Sequence, residues 1–395
     1  MQFKNKLRHI IDEIKPNFSE GGKFSFLHST FNAFETFFFV PDEVTTKGTH
    51  IKDAIDIKRS MIIVVIALLP CLLFGIYNTG LQHYISIGEE QTFFQICLYG
   101  IIKILPLIIV SYVVGLGIEF TVAQIRKHEV NEGYLVTGMI IPLIVPIDIP
   151  LWMLAIATAF AVIIGKEIFG GTGFNILNPA LFARAFLFFA FPSYMTGDKV
   201  WISGLIKSEN IVDGFSGETL LSQAITSGSN FIDGFGNSIS FQNIFIGTIP
   251  GCVGETSTIA ILIGAVILLF TGIASWRIML SVLVGGSCMG IFYNLIGTSP
   301  LMQIPWYEHL ILGGFAFGMV FMATDPVTAT QTNVGKYIYG FLIGVFAITI
   351  RVVNPAYPEG MMLAILLMNI FAPLIDYVIV EFNIKKRLKR LKTNE

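Results

Sequence analysis

The strongest constraint on this chain is a series of long apolar runs that carry little or no charge. Ser60–Gly80 reads SMIIVVIALLPCLLFGIYNTG and contains no Asp, Glu, Lys or Arg. A helix needs roughly 20 such residues to cross the hydrocarbon core of a bilayer. Phe93–Ile118 is a second run of that length, and Gly133–Pro146, Pro150–Phe169 and Pro179–Pro192 follow. After a polar stretch come Ser257–Ala274, Arg277–Gly297, His309–Ala323, Tyr337–Val353 and Gly360–Val380. Only 13% of the 395 residues are charged and 54% are hydrophobic, whereas soluble domains carry about 25% charge. An ordinary cytosolic enzyme is excluded. The expectation is an all-α polytopic integral membrane protein with about ten transmembrane helices. Some are short or broken, because Pro142, Pro146, Pro179 and Pro192 interrupt the third and fifth runs. A net charge of −2 offers nucleic acid no basic surface.

Basic residues predict sidedness, because cytoplasmic loops carry the excess of Lys and Arg. With the N-terminus inside, 21 of the 25 fall inside, three (Lys199, Lys207 and Arg351) outside, and Lys103 within a span. Lys166 and Arg184 are among those counted inside. Both termini are therefore expected in the cytoplasm. The organisation that follows is a polar N-terminal extension (1–59), a first membrane half (60–193), an external segment (194–256), a second membrane half (257–380) and a basic tail (381–395). Lys4, Lys6 and Arg8 on an amphipathic start face either anionic lipid or a docking partner. The tail KKRLKRLK is a topology anchor.

Cys71, Cys97, Cys252 and Cys288 stand singly, without the spacing of a zinc or iron–sulfur site, and read as small buried hydrophobes. Acids inside spans are more telling, since a carboxylate there is costly unless paired or wet. Asp325, in Thr-Asp-Pro, reads either as a helix N-cap with Pro326 at N1 or, with Thr324, Thr328 and Thr330 near it, as a hard-cation site. Asp376, within the last span, and more weakly Glu132, join it as ion-pathway candidates. Asn178-Pro179 and Asp325-Pro326 are placed alike, 147 residues apart, which hints at an internal duplication with broken helices. The run Gly170–Asn178 (GGTGFNILN) is either a packing turn or a flavin contact. It is no dinucleotide fingerprint, as no strand precedes it.

In the external segment, Asp213-Gly-Phe-Ser-Gly-Glu-Thr219 is a Gly-flanked polar turn exposing two hydroxyls. It resembles the D-x-x-S-G-x-T motif at which a flavin transferase joins FMN to threonine through a phosphoester. The resemblance makes Thr219 the anchor, with Asp213, Ser216 and Gly217 as the further cofactor-binding residues of the motif. Glu218 stands where that motif usually has alanine. Gly254-Glu255-Thr256 repeats the triplet but lacks the upstream Ser and Asp, and there Thr256 or Ser257 reads as a helix N-cap.

His128–Tyr134 (HEVNEGY), Gly165–Phe174 (GKEIFGGTGF), Asn178–Phe186 (NPALFARAF), Gly254–Thr258 (GETST) and Phe321–Val327 (FMATDPV) extend the likeness. Together they resemble the B subunits of the sodium-translocating NADH:quinone reductases over roughly residues 20–380. The resemblance implies a multi-pass subunit of a six-subunit complex in the bacterial inner membrane, with a five-plus-five repeat. It implies covalent FMN, a non-covalent riboflavin, quinone nearby, and Na+ as the transported ion. Thr219 would then lie on the external side, where the charge count also puts it. No NADH site is visible, so the chain is not expected to oxidise NADH without its partners. The related D subunit of the ferredoxin:NAD oxidoreductase complex is the close rival, and a flavin-free secondary transporter or channel is the rival of another class.

Overall fold

A computed structural model of the chain describes residues 2–18, positions 22, 24, 31, 35–36, 39 and 48–49, and then 57–126, 133–206, 211–212, 214–355 and 357–392. Asp213 and Glu132 lie outside the described residues, as do Lys127, His128 and Lys207. The main helices are α1 (Gln2–Phe18), α2 (Ile57–Ile87), α3 (Phe93–Arg126), α4 (Tyr134–Ile144), α5 (Leu151–Gly165) and α6 (Pro179–Ala190). They continue with α7 (Leu220–Ser227), α8 (Thr258–Phe270), α9 (Trp276–Ile296), α10 (Asn333–Val353) and α11 (Met361–Lys392).

Among the described residues, 6 helices are long and apolar enough to cross a membrane: α2, α3, α5 with its 3-10 continuation to Phe169, α9, α10 and α11. This corrects the expectation of about ten transmembrane helices. Helices α4, α6 and α8 have 11, 12 and 13 residues, well short of the roughly 20 a bilayer requires. The run expected as an eighth span is not one helix. It breaks into Glu308–Ile311, Phe315–Phe317 and a π-turn at Gly318–Met322. Apolar composition measures burial and says nothing of helical continuity, and Gly313, in left-handed backbone at φ 63°, separates the pieces. The long helices divide three before and three after the external segment, so a five-plus-five repeat of full spans falls with the count.

Local chemistry accounts for the helix ends. Asn178 caps α6, accepting from the Ala180 and Leu181 amides, with Pro179 at the first position, where a missing N–H costs nothing. Ser257 caps α8 and Thr332 caps α10. Pro70, Pro106 and Pro373 lie inside α2, α3 and α11, as membrane helices tolerate. Pro142 is likewise inside α4, whereas Pro146 lies beyond its end.

Helices α9 and α10 pack along their length, α11 joins them, and α2 pairs with α3 and α8. The buried centre collects Leu143, Ile144, Leu154, Leu181, Phe317, Val320 and Ile343. Leu69, Leu73, Ile102, Ile109 and Val113 stay exposed along α2 and α3. So broad an apolar surface suits lipid and would be untenable in water. At the N-terminus, Arg8 and Lys15 of α1 converge on the buried Glu35 carboxylate at 3.4 and 2.9 Å. Arg8 is thus engaged in an ion pair within the chain.

The segment between α6 and α8 is held down by its own apolar residues. Val200, Ile202, Leu205, Phe231, Ile244 and Ile249 are buried. The Gln223 side chain of α7 clamps Ile232, donating to its carbonyl at 2.9 Å and accepting from its amide at 3.0 Å. In the tip that follows, slight burial of Asp233 is outweighed by hydrogen bonds from Asn237, Phe235 and Gly236, which hold its carboxyl below the usual range.

Candidate functional site

Thr219 caps α7, its hydroxyl accepting from the Ser222 amide at 3.3 Å. The residues just before it are threaded through a narrow path. Ser216 is exposed, and its amide donates to the Gly234 carbonyl at 3.2 Å. A Cβ on Gly217 would come within 2.6 Å of the Asp198 carbonyl oxygen and 2.8 Å of a Leu205 methyl, so only glycine fits. Glu218 accepts from the Ser222 hydroxyl at 2.7 Å, leaving its carboxylate tied to the first turn of α7.

Thr219 lines a cavity of about 220 Å³. Phe188, Trp201, Ile225 and Tyr357 supply its apolar wall, and Arg184, Glu255 and Glu359 are the charged side chains facing it. Arg184, in the middle of α6, reaches Glu255 Oε1 at 2.5 Å, pairs closely with Glu359, and points a third contact at Cys252 Sγ, 3.7 Å away. Gly313 and Gly314 close one side. A Cβ on Gly314 would stand 2.8 Å from both the Glu255 and the Glu359 carboxylates. Behind them, fully buried Arg351 donates to the carbonyls of His309 (2.6 Å), Leu312 (3.0 Å) and Pro358 (3.1 Å). Thr256 also lines the cavity. Its hydroxyl is buried and has no hydrogen-bond partner among the described residues. A buried hydroxyl is not left idle without cost, and the residue that carries it is part of the cavity wall.

A second cavity, of about 110 Å³, lies at the opposite end of α6. There the two Asx-Pro sites meet: Asn178 Nδ2 donates to Asp325 Oδ2 at 3.3 Å. Asp325 also accepts from the Val327 amide at 3.1 Å and the Thr328 hydroxyl at 3.0 Å. It opens a turn rather than a helix, and the next helix begins only at Asn333. Lys166, Thr137, Thr172 and Asn175 share this cavity, the last two contributed by the Gly-rich run. Lys166 makes a close buried pair with Glu119 of α3. Asp376 is elsewhere. It is half-buried and accepts from the Gln331 amide (2.7 Å), the Thr332 amide (3.0 Å) and the Thr332 hydroxyl (2.6 Å), anchoring the start of α10.

Arg184, Glu255, Glu359 and Arg351 are the residues that sequence reasoning missed. Arg184 and Arg351 count there only as markers of sidedness, although each is an intramembrane charge of the kind that flags the acids. Glu255 figures only within a repeated triplet. The carboxylate partners of Arg184 lie 71 and 175 positions away, beyond the reach of any local pattern.

A multi-pass membrane protein with two cavities, one lined by Thr219 and the Arg184 cluster and one by Asp325 and Lys166, is thus defined. A model of the NQR2, RnfD, RnfE family matches residues 44–385, and the chain belongs to that family. It is 48% identical to the B subunit of the Na(+)-translocating NADH-quinone reductase of Ectopseudomonas mendocina, over 97% of this chain and 99% of that one. The corresponding subunits of Chromohalobacter salexigens and Klebsiella pneumoniae are 46% and 45% identical, again over 97% of this chain.

Proposed function

We propose that the chain is the B subunit of a sodium-pumping NADH:quinone reductase, a multi-subunit translocase of the bacterial inner membrane. It carries FMN on Thr219, shares a riboflavin, and relays electrons that originate from NADH in partner subunits toward quinone while Na+ is exported. Near-full-length identity to subunits of that name supports the assignment over the D subunit of the ferredoxin-linked complex. The observation that carries the flavin reading is the position of Thr219, whose hydroxyl caps a helix at the wall of an aromatic cavity with an idle buried hydroxyl, Thr256, beside it.

FMN, when bound, supplies the electron-carrying chemistry. The protein supplies position and charge. Thr219 Oγ becomes the ester oxygen and stays at the N-terminus of α7, where backbone N–H groups and the helix dipole favour a phosphate. Trp201, Phe188 and Tyr357 offer flat apolar surface for a ring system, and Thr256 offers a hydrogen bond. Asp213, Ser216 and Gly217 present the threonine to the transferase. At the other end of α6, Asp325 and its threonine neighbours provide hard oxygen ligands suited to a passing cation. Asp376, which lies outside this cavity, and Glu132 are the further ion-pathway candidates. Membrane lipid surrounds the long helices, both termini are cytoplasmic, and Thr219 is external.

The test is in-gel flavin fluorescence after denaturation, with the protein co-expressed with a flavin transferase. Wild type fluoresces, and both Thr219→Ala and Thr219→Asn are dark. Asn is as good an N-cap as Thr, so the Asn variant removes the acceptor hydroxyl while leaving α7 intact. A dark wild type, or fluorescence retained in Thr219→Asn, overturns the assignment of the anchor.

A further inference from the structure

We infer that the buried Arg184–Glu255–Glu359 cluster sets the reduction potential of the flavin held in the Thr219 cavity, with Arg184 favouring the reduced form and the two carboxylates opposing it. The inference rests on the covalent-flavin reading above and adds residues that the flavinylation motif does not contain.

Three observations support it. First, Arg184, Glu255 and Glu359 are the charged side chains on the wall of the cavity that Thr219 lines. Second, all three are withdrawn from water. The Arg184 side chain is 4% exposed, that of Glu255 8% and that of Glu359 17%. Their fields are therefore weakly screened and act strongly across a cavity. Third, the cluster is held fixed. The guanidinium bonds both carboxylates and the Cys252 thiol, and Cys252 in turn donates to the Ile144 carbonyl at 3.3 Å. Arg351 fixes the backbone that carries Glu359 through the Pro358 and Glu359 carbonyls, the latter at 3.4 Å.

A purely structural ion pair linking α6 to the neighbouring loops would need one carboxylate. The second adds Glu359, whose carboxyl is pushed up to about 7 by burial against the pull of Arg184, so that it brings a partial negative charge to the wall near neutral pH. Reduction adds negative charge to the flavin, so a carboxylate facing the cavity disfavours it and a guanidinium favours it. Because the signs are opposite, charge removal at the two kinds of position must move the potential in opposite directions. Simple loosening of the fold has no such signature.

The experiment is a potentiometric titration of the intact complex, following flavin absorbance, with the Thr219→Asn complex as the blank that isolates this flavin's signal. Glu255→Gln and Glu359→Gln keep size and hydrogen bonding and remove charge. Each is expected to raise the potential, with the preference for the reduced form strengthened on the order of tenfold, about 59 mV for a one-electron step. Arg184→Gln is expected to lower it, and Arg184→Lys to restore most of the wild-type value. If Arg184→Gln does not assemble, the two Gln variants at the carboxylates carry the test alone. Potentials that stay at the wild-type value, or that shift in the same direction in the Arg and Glu variants while gel fluorescence persists, overturn the inference. Loss of gel fluorescence in wild type would overturn the anchor reading instead, so the two failures are distinguishable.

Discussion

At the scale of single residues, one hydroxyl serves as helix cap and, in the proposed function, as flavin acceptor. Thr219 accepts from the Ser222 amide, a contact worth about 1 kcal/mol to a helix start, and one residue back Glu218 accepts from the Ser222 hydroxyl. The Glu218 carboxylate is thus folded against α7 instead of projecting at an incoming transferase. Glu218→Ala is accordingly expected to leave flavin per mole of protein unchanged, measured by gel fluorescence normalised to protein stain. A several-fold rise would mean that the carboxylate obstructs recognition. Asp325 acts at the same scale through its charge. Burial pushes the Asp325 carboxyl above the usual range, against the pull of its three hydrogen-bond donors, so its negative charge and a cation in the cavity favour each other. Asp325→Asn preserves shape and removes that charge. A cation about 4 Å from a well-solvated carboxylate gains about 1 kcal/mol, and more where the site is drier. The Na+ concentration for half-maximal turnover should therefore rise at least about fivefold. An unchanged Na+ dependence would remove Asp325 from the ion pathway.

At the scale of elements, charged side chains act as fasteners between helices. Lys166, just past the end of α5, pairs with Glu119 of α3, and Arg126 at the end of α3 donates to the Glu167 carbonyl at 2.9 Å. Removing one partner of a buried pair costs about 3–5 kcal/mol. Lys166→Met should thus lower the thermal midpoint of the purified protein, and adding Glu119→Leu should recover most of the loss; if the double variant is as unstable as the single, the pair is not the fastener. What is legible in the sequence follows the same division between local and distant. The Asn178-Pro179 helix start and the Ser257 cap are local, and both form. Asp376 reads from sequence as an unexplained acid in a span. Its partners, Gln331 and Thr332, lie 45 and 44 positions away, and they give it a capping role at α10 that no local pattern contains. The Thr219 motif can be found because its residues are contiguous, whereas the cavity it faces is assembled from α6, α7 and four separate loops. The number of full spans is overestimated from sequence for a related reason. Hydrophobicity does not guarantee a continuous helix, so apolar helices of only 11 to 13 residues and one fragmented run pass for spans.

At the scale of the whole molecule, α6 joins the two cavities. Its cap, Asn178, lies in the cavity with Asp325, and Arg184 and Phe188 lie in the cavity with Thr219. At 1.5 Å per residue, the six residues from Asn178 to Arg184 span about 9 Å. A charge appearing on a group in one cavity is therefore felt in the other through a medium of low dielectric. That is the arrangement a redox-linked cation pump needs, but it has a direction only if the cavities face opposite sides. Burial sharpens the question of sidedness. Lys166, Arg184 and Arg351 are buried and paired or bonded within the protein, so none of them reports on a loop. Setting them aside leaves 19 basic residues that the sequence reading assigns to the side of the termini and two, Lys199 and Lys207, that it assigns to the side of Thr219. The bias is as strong as before. In a cysteine-free background, Phe235→Cys near Thr219 and Lys386→Cys on the tail place single thiols at exposed positions. A membrane-impermeant maleimide applied to intact spheroplasts should label the first and reach the second only after permeabilisation. The reverse pattern would put the Thr219 cavity on the cytoplasmic side, and with it the direction of Na+ movement relative to the flavin would invert.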